Sequence, residues 1–489
     1  MTTTAYGDLL DRLERRLVVG SRLVETPDAV NRAESPAPGG APRHWSSASV
    51  AQAVAALDLA VEAQPVWAAT PLDDRIAVVT GYLDGLLRDA ERIANLIVLE
   101  TGKTITDARA EVAVSAGVVR ELVGAARSGV FDEEVTLDGA VRLRVRPVPV
   151  GPALLVTPWN FPLSMASRKV VSALLSGCTA ILKPSERSPL TALALGSLLI
   201  DSGLPAGVLS VLPSVDSAAM VAALTGRREL RKISFTGSTA VGRKVLEAST
   251  GNFQHVSLEL GGNAPCVILP DADVRSAVQT IWSSKLFNNG QACTAPNRVL
   301  VPASLHAEVG DLFRELVAAS AVADPWAADT ALGPVIDTAS SRRLESLVAG
   351  AADRRTTRGR ASGAVASEVP ATVVMYAQPG DAVCAQELFG PVLPLIGYPD
   401  DDLDSCVRIA NGTEYGLASY VFGTDQDRVD AVVRKLDFGM TAVNRGSVSH
   451  PKAPFGGLKH SGFGRENGRI GLAEYLDLHT VHEPIAVQP

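Results

Sequence analysis

Between residues 153 and 258 the chain alternates short apolar runs with turns and amphipathic stretches, and few folds accommodate that rhythm. The runs are Ala153–Thr157, Ala180–Lys183, Val208–Leu212, Lys232–Phe235 and Val256–Leu258. A strand that is apolar on both faces belongs inside a sheet covered on both sides, and the stretches between supply the crossover helices. The spacing therefore predicts βαβ units and a parallel sheet.

The remainder extends this plan. At 489 residues the chain exceeds what one core organises, so two or three domains are expected. A second alternating region starts near Pro265, passes through a helix around Val274–Phe287 and runs to about Asn444. Ser49 to Arg127 reads as helical. Residues 28–48, rich in Pro, Gly and Ser, read as an irregular surface segment, and Met1 to Gly20 as an amphipathic helix. In Val141–Val150 the residues Val141, Leu143 and Val145 alternate with arginines, which predicts a strand with one wet face. Pro147 and Pro149 assign it to an edge or an arm, and the strand-like tail Gly471–Pro484 is a candidate partner for it. Arg354, Arg355, Arg358 and Arg360 read as a solvated loop.

Composition narrows the function. A net charge of −8 gives no general attraction to nucleic acid or anionic membranes. No apolar run approaches the ~20 residues that cross a bilayer. The five cysteines (178, 266, 293, 384 and 406) are scattered, which argues against a disulfide framework and a structural zinc site. A reduced, cytoplasmic protein without a metal is expected.

Several short motifs carry chemistry. Thr157-Pro158-Trp159-Asn160-Phe161-Pro162 follows the first buried strand, at the end of a sheet where ligands bind. The Asn160 amide suits an oxyanion, or caps the next helix. Lys183-Pro184-Ser185-Glu186 can hold the hydroxyls of a ribose, with Glu186 repelling a 2′-phosphate and so favouring NAD over NADP; the alternative is a surface ion pair. Thr236-Gly237-Ser238 opens a helix whose N–H groups, with the Ser238 hydroxyl, can hold a pyrophosphate, or which Ser238 simply caps. Glu259, before Gly261 and Gly262, is a carboxylate at an apolar strand end, costly there without a task or a partner. Cys293, in Asn289-Gly290-Gln291-Ala292-Cys293, stands at the expected start of a helix, where a thiol's pKa falls. Packing and a salt bridge are the plain alternatives for these two. Glu387 in Gln386-Glu387-Leu388-Phe389-Gly390 can accept from a second ribose, and Phe389 can pack on a nicotinamide. The Ala453–Gly462 loop, containing Phe455, reads as packed against the catalytic region.

Together TPWNFP, LKPSE, FTGSTAVG, LELGGN, NGQAC, ELFGPV and PFGGLKHSG resemble the aldehyde dehydrogenase superfamily, in order and over about residues 50–482. The resemblance implies an α/β fold: a Rossmann-like NAD-binding domain (1–130 and 150–259), an α/β catalytic domain (260–440), and a small β oligomerisation arm with the C-terminal segment (131–149 and 441–489). It implies a homodimer or homotetramer and NAD as cofactor, NADP being possible. Thr157, Trp159, Lys183, Ser185, Glu186, Thr236, Gly237, Ser238, Glu387 and Phe389 would contact it. In the implied mechanism Cys293 attacks the aldehyde, Asn160 and the Cys293 N–H hold the oxyanion, and Glu259 activates the water that hydrolyses the thioester. Glu259 argues against acyl transfer to coenzyme A.

Pro162–Lys169, Gly439–Asn444 and Ser449 look most like succinate-semialdehyde dehydrogenases, in which an arginine at the position of Arg168 binds the substrate carboxylate. A second arginine of those enzymes, six residues before the cysteine, is Phe287 here. A medium-sized aldehyde, semialdehydes included, is expected, with Arg168, Phe287, Ser449, His450 and Phe455 lining its pocket. The competing class is a catalytically silent nucleotide-binding relative with a structural or regulatory role.

Overall fold

The computed structural model describes residues 6–26, 30–129, 133–137 and 141–484. Five parallel strands, Ala153–Val156, Ala180–Lys183, Leu209–Val211, Lys232–Thr236 and His255–Glu259, form the centre of an eight-stranded sheet. The first lies in the middle, with the second and third on one side and the fourth and fifth on the other. The winding thus reverses between Ala153–Val156 and Lys232–Thr236, and a crevice opens there at the carboxyl ends of the strands. Successive residues feed opposite cores: Leu155 and Leu182 pack among the helices on one face, Leu154 and Ile181 on the other. This is the double burial that the unbroken apolar runs demand.

A second sheet has seven strands in the order Arg355–Arg358, Thr372–Ala377, Val392–Tyr398, Pro296–Pro302, Ala264–Ile268, Ala418–Phe422 and Met440–Val443. Only its Arg355–Arg358 edge is antiparallel. Helices Val50–Ala69, Leu72–Arg88, Ala90–Thr101 and Ile105–Arg127 fill the predicted helical region, the first starting in a reciprocal Ser49–Gln52 capping box. No described helix is long and apolar enough to cross a membrane.

The third sheet joins Leu476–Pro484, Val141–Pro149 and Glu133–Leu137, so the tail does pair with the 141–150 strand. That strand is central rather than an edge. Glu133–Leu137 covers only Val141–Val145, and Pro147 and Pro149 lie beyond it, where no second neighbour needs their missing N–H. Gly462–Phe463, from the segment grouped with the arm, instead closes the eight-stranded sheet.

Other expectations are corrected. The N-terminal helix spans only Gly7–Leu13, with Met1–Ala5 outside the described residues. A hairpin of Arg16–Val19 and Arg22–Glu25 follows, because Gly20 and Ser21 both adopt positive φ, the geometry of a tight two-residue turn. Within residues 28–48, Val30–Ala33 pairs with Arg43–Ser46; Pro27–Ala29 lie outside the described residues. Trp45 is buried, and the buried Arg43 guanidinium donates to the carbonyls of Glu34, Glu100 and Arg187. Of the arginine cluster, Arg355 and Arg358 lie in an edge strand rather than a loop, while Arg355, Arg358 and Arg360 are exposed as expected. Arg354 is bound to both carboxylate oxygens of Asp381, and Arg358 is paired with Glu345.

Candidate active site

At the reversal point a cavity of about 1450 Å³ runs from Lys183 and Glu186, past the carboxyl ends of the first sheet, to Cys293 and Phe287. Most residues singled out in the sequence meet in its wall. Glu259 and His450 do not.

The Asn160 turn and the Cys293 loop are locked together. Asn160 Nδ2 donates to the Gln291 carbonyl at 2.9 Å, two residues before the thiol. Asn288, held at φ 55°, donates its own Nδ2 to the carbonyls of Asn160 (3.1 Å) and Gln291 (2.9 Å). The helix Pro162–Leu175 has no side-chain cap, so the reading of Asn160 as a cap is excluded. Its first free N–H groups, on Leu163 and Ser164, donate to Glu111 Oε1 instead. Gly262 brings the two sheets together: a Cβ there would lie 2.2 Å from the Cys293 carbonyl oxygen. No larger residue fits that approach.

Cys293 does not start a helix. It lies in a turn between the short 3-10 turn Phe287–Gly290 and the strand Pro296–Pro302, so the expected helix start is not there to lower its thiol. Burial, with the Glu387 and Glu259 carboxylates, pushes the thiol up to about 12, and Arg168 opposes this. The thiol is thus protonated near neutrality in this state.

Glu259 is buried behind the cavity, with Oε1 against Gly456, and among the described residues neither carboxylate oxygen has a hydrogen-bond partner. Burial and the neighbouring Glu466 hold it well above the usual carboxylate range, partly offset by Lys169, Arg168 and Arg465. Glu387 lines the cavity and accepts from Gly262 N–H at 2.9 Å; burial raises it to about 7.

At the far end, Lys183 is buried, 3.7 Å from the half-exposed Glu186. Burial lowers the Lys183 ammonium, and Glu186 partly restores it. The Ser185 hydroxyl accepts from Arg187 N–H, and Ser238 caps the helix Thr239–Ser249, so its capping role is realised. Thr157 Oγ1 and Thr236 Oγ1 are buried at the cavity without partners among the described residues, and Gly237 lies beside Thr236. Trp159 meets Phe389 edge-on at 5.6 Å, the latter at a positive φ of 52°, an uncommon backbone for an aromatic residue.

At the Phe287 end, Phe161 and Phe287 stack at 5.8 Å. Arg168 Nη1 is 3.1 Å from Glu466 Oε2, its guanidinium lies 4.8 Å from the Phe455 ring, and its buried Nε has no partner among the described residues. Ser449 and Phe455 line the cavity. His450 is exposed outside it, its ring Nδ1 accepting from the Lys452 N–H, a bond that fixes it within its own loop.

A family model described as aldehyde dehydrogenase family matches residues 25–481. The chain is 37% identical over 442 residues to the succinate-semialdehyde dehydrogenase of Paenarthrobacter nicotinovorans, covering 88% of this chain and 96% of that one. It is 34% identical to the NADP(+) succinate-semialdehyde dehydrogenase of Escherichia coli (87% and 88% covered). Its fold superposes on the betaine aldehyde dehydrogenase of Staphylococcus aureus, solved with NAD+, with a TM-score of 0.92 at 28% identity, covering 98% and 96% of the two chains. The chain belongs to the aldehyde dehydrogenase family.

This aldehyde dehydrogenase oxidises aldehydes with NAD or NADP, and the silent, structural alternative is not favoured. The residues present fit the dinucleotide. Two threonine hydroxyls without partners and the amino terminus of a helix line one elongated cavity, which also holds a buried lysine and two carboxylates. Sequence reasoning alone misses Asn288, Lys103 and Glu111. Asn288 stands one residue before the recognised motif. Lys103 and Glu111 look, in a helical sequence, like ordinary surface charges.

Proposed function

We propose that Cys293, Asn160 and Glu259 carry the oxidation, and one observation supports this most: Asn160 Nδ2 spends one hydrogen on Gln291, leaving the other for the cavity beside the thiol. The Cys293 thiol first gives its proton to solvent in the cavity. The thiolate then attacks the aldehyde carbon, and the carbonyl π bond opens to an alkoxide that accepts from the Asn160 amide and the Cys293 N–H. The bound nicotinamide supplies the acceptor for the hydride that leaves the adduct carbon. What remains on Cys293 is a thioester. Glu259, turned out from its place against Gly456, takes a proton from water as the oxygen attacks, and the carboxylic acid and the thiol are released. This is hydrolytic rather than acylating chemistry.

Lys183, Ser185, Glu186, Thr157, Trp159, Thr236, Gly237, Ser238, Glu387 and Phe389 hold the dinucleotide, with Glu186 favouring NAD. The three sheets correspond to a dinucleotide-binding domain, a catalytic domain and an oligomerisation arm that builds a homodimer or homotetramer. A reduced cytoplasm suits the five free cysteines. The substrate is a medium-sized aldehyde, semialdehydes included: the unpartnered Arg168 Nε offers an anion one donor, while Phe161 and Phe287 supply an aromatic wall.

Cofactor reduction with NAD and NADP, measured over semialdehydes, aliphatic and aromatic aldehydes beside a Cys293→Ala control, tests the reading. Turnover that vanishes in the control is expected. Turnover that persists there removes Cys293 from the mechanism.

A further inference from the structure

We propose that the buried Lys103–Glu111 ion pair is a positioning device for the Asn160 amide, so that a cation and a carboxylate far from Cys293 in sequence set the rate of its attack. The inference rests on the reading of Asn160 as the oxyanion donor. Lys103 Nζ and Glu111 Oε2 are 2.6 Å apart, and neither side chain is exposed. Such a pair sacrifices the hydration of two charges, and an apolar pair of similar volume often serves stability as well. Its use must be sought in what it holds.

It holds the Asn160 turn from both sides. Lys103 Nζ donates to the Asn160 carbonyl at 2.7 Å and lies 4.4 Å from the centre of the Phe161 ring. Glu111 Oε1 accepts from the N–H groups of Leu163 at 2.9 Å and Ser164 at 3.1 Å. A serine or aspartate at the cap position would satisfy such N–H groups locally. Here Phe161 occupies that position, and the carboxylate comes from the separate helix Ile105–Arg127. From there the order passes on: Asn160 Nδ2 bonds the Gln291 carbonyl, and Asn288 ties that carbonyl to the Asn160 carbonyl. From Lys103 to the backbone beside Cys293, every hydrogen bond is 3.1 Å or shorter. The Lys103 charge rests on the peptide of the residue whose side chain meets the oxyanion. Lys103 itself does not line the cavity, so removing its charge frees the amide to rotate within its turn while leaving the thiol in place.

A double-mutant cycle between Lys103→Met and Asn160→Ala tests this, read as kcat, aldehyde KM and dinucleotide Kd. Lys103→Met is expected to lower kcat about 10- to 100-fold, with KM and Kd within about 3-fold of the parent. In the Asn160→Ala background the same change is expected to cost less than about 3-fold, because the group it positions is gone. Equal losses of kcat in the two backgrounds, or a loss confined to KM or thermal stability, overturn the proposal. Should Lys103→Met not fold, Glu111→Gln, which keeps an acceptor for Leu163 and Ser164, goes through the same cycle: a loss that shrinks without Asn160 supports the proposal, and equal losses overturn it. An Asn160→Ala enzyme with parental kcat would instead overturn the oxyanion reading itself.

Discussion

Asn160 follows one strand of the eight-stranded sheet and Glu259 ends another, at the same end of it, yet their surroundings are opposite. Asn160 is bonded through its amide to Gln291 and through its carbonyl to Lys103 and Asn288. Glu259 is equally buried, and among the described residues neither of its oxygens is bonded. The difference matches what each must do. A donor that meets charge as it develops is worth most when it is fixed beforehand, since nothing reorganises during the reaction. A base that acts only after the thioester forms has to stay clear of the first step and then move. A carboxylate tied by strong hydrogen bonds would resist that movement. Its neighbour Glu466 illustrates the tied state, bound to Lys169 at 2.5 Å and Arg168 at 3.1 Å.

The largest effect that can break this contrast is Glu259→Gln. Acylation should survive and hydrolysis should fail, so the variant is expected to form about one equivalent of reduced cofactor per site. Steady-state turnover should then drop about 10²- to 10⁴-fold, the range of general base catalysis. Intact-protein mass spectrometry should show the acyl group on Cys293. Loss of the burst along with turnover would place Glu259 in the first step and erase the division of labour.

The pH profile sharpens the same contrast. A carboxylic acid cannot take a proton, and burial with Glu466 nearby holds Glu259 protonated to higher pH than an ordinary carboxylate. The thiol, pushed up to about 12, also gains its reactive form as pH rises. Both shifts have one sign: turnover should climb with pH through and above neutrality. In Glu259→Gln the rising limb of the hydrolysis step should vanish, while that of the burst remains. A flat profile for parental hydrolysis would mean that the carboxylate is already ionised in the working enzyme.

The same contrast marks what can be read from the sequence. The central strands are legible because unbroken apolar runs admit few placements other than a doubly covered sheet. Asn160, Glu259 and Cys293 are legible as residue types at strand ends and turns, and the resemblance of the surrounding motifs joins them. The support of Asn160 is not legible. Lys103 precedes Asn160 by 57 residues, and nothing local marks a lysine or a glutamate in a helical stretch as buried. The expected helix after Cys293 fails because a Thr-Ala-Pro sequence leads straight into a strand. The hairpins at 16–25 and 30–46 escape because their strands are four residues long, too short for alternation to emerge. Where Glu259 points is a tertiary matter altogether, set by Gly456 and Glu466.

A smaller effect is expected at the substrate end, where rigidity is again the issue. Arg168 is held by Glu466 and lies on the Phe455 ring, and its buried Nε is unbonded among the described residues. Phe287 offers no donor and stacks on Phe161 instead. Phe287→Arg adds a mobile cation to this wall. It should raise kcat/KM for carboxylate-bearing semialdehydes about 10- to 100-fold, the worth of one charge-assisted contact of about 1.5–3 kcal/mol. Neutral aldehydes of equal length should lose several-fold as the aromatic stack is broken. The ratio of the two kcat/KM values is the quantity to measure, because it cancels any general damage to the Asn160 and Cys293 machinery. A ratio unchanged from the parent would show that the aldehyde tail does not reach Phe287, and would move the selection of substrate to Arg168 and Ser449.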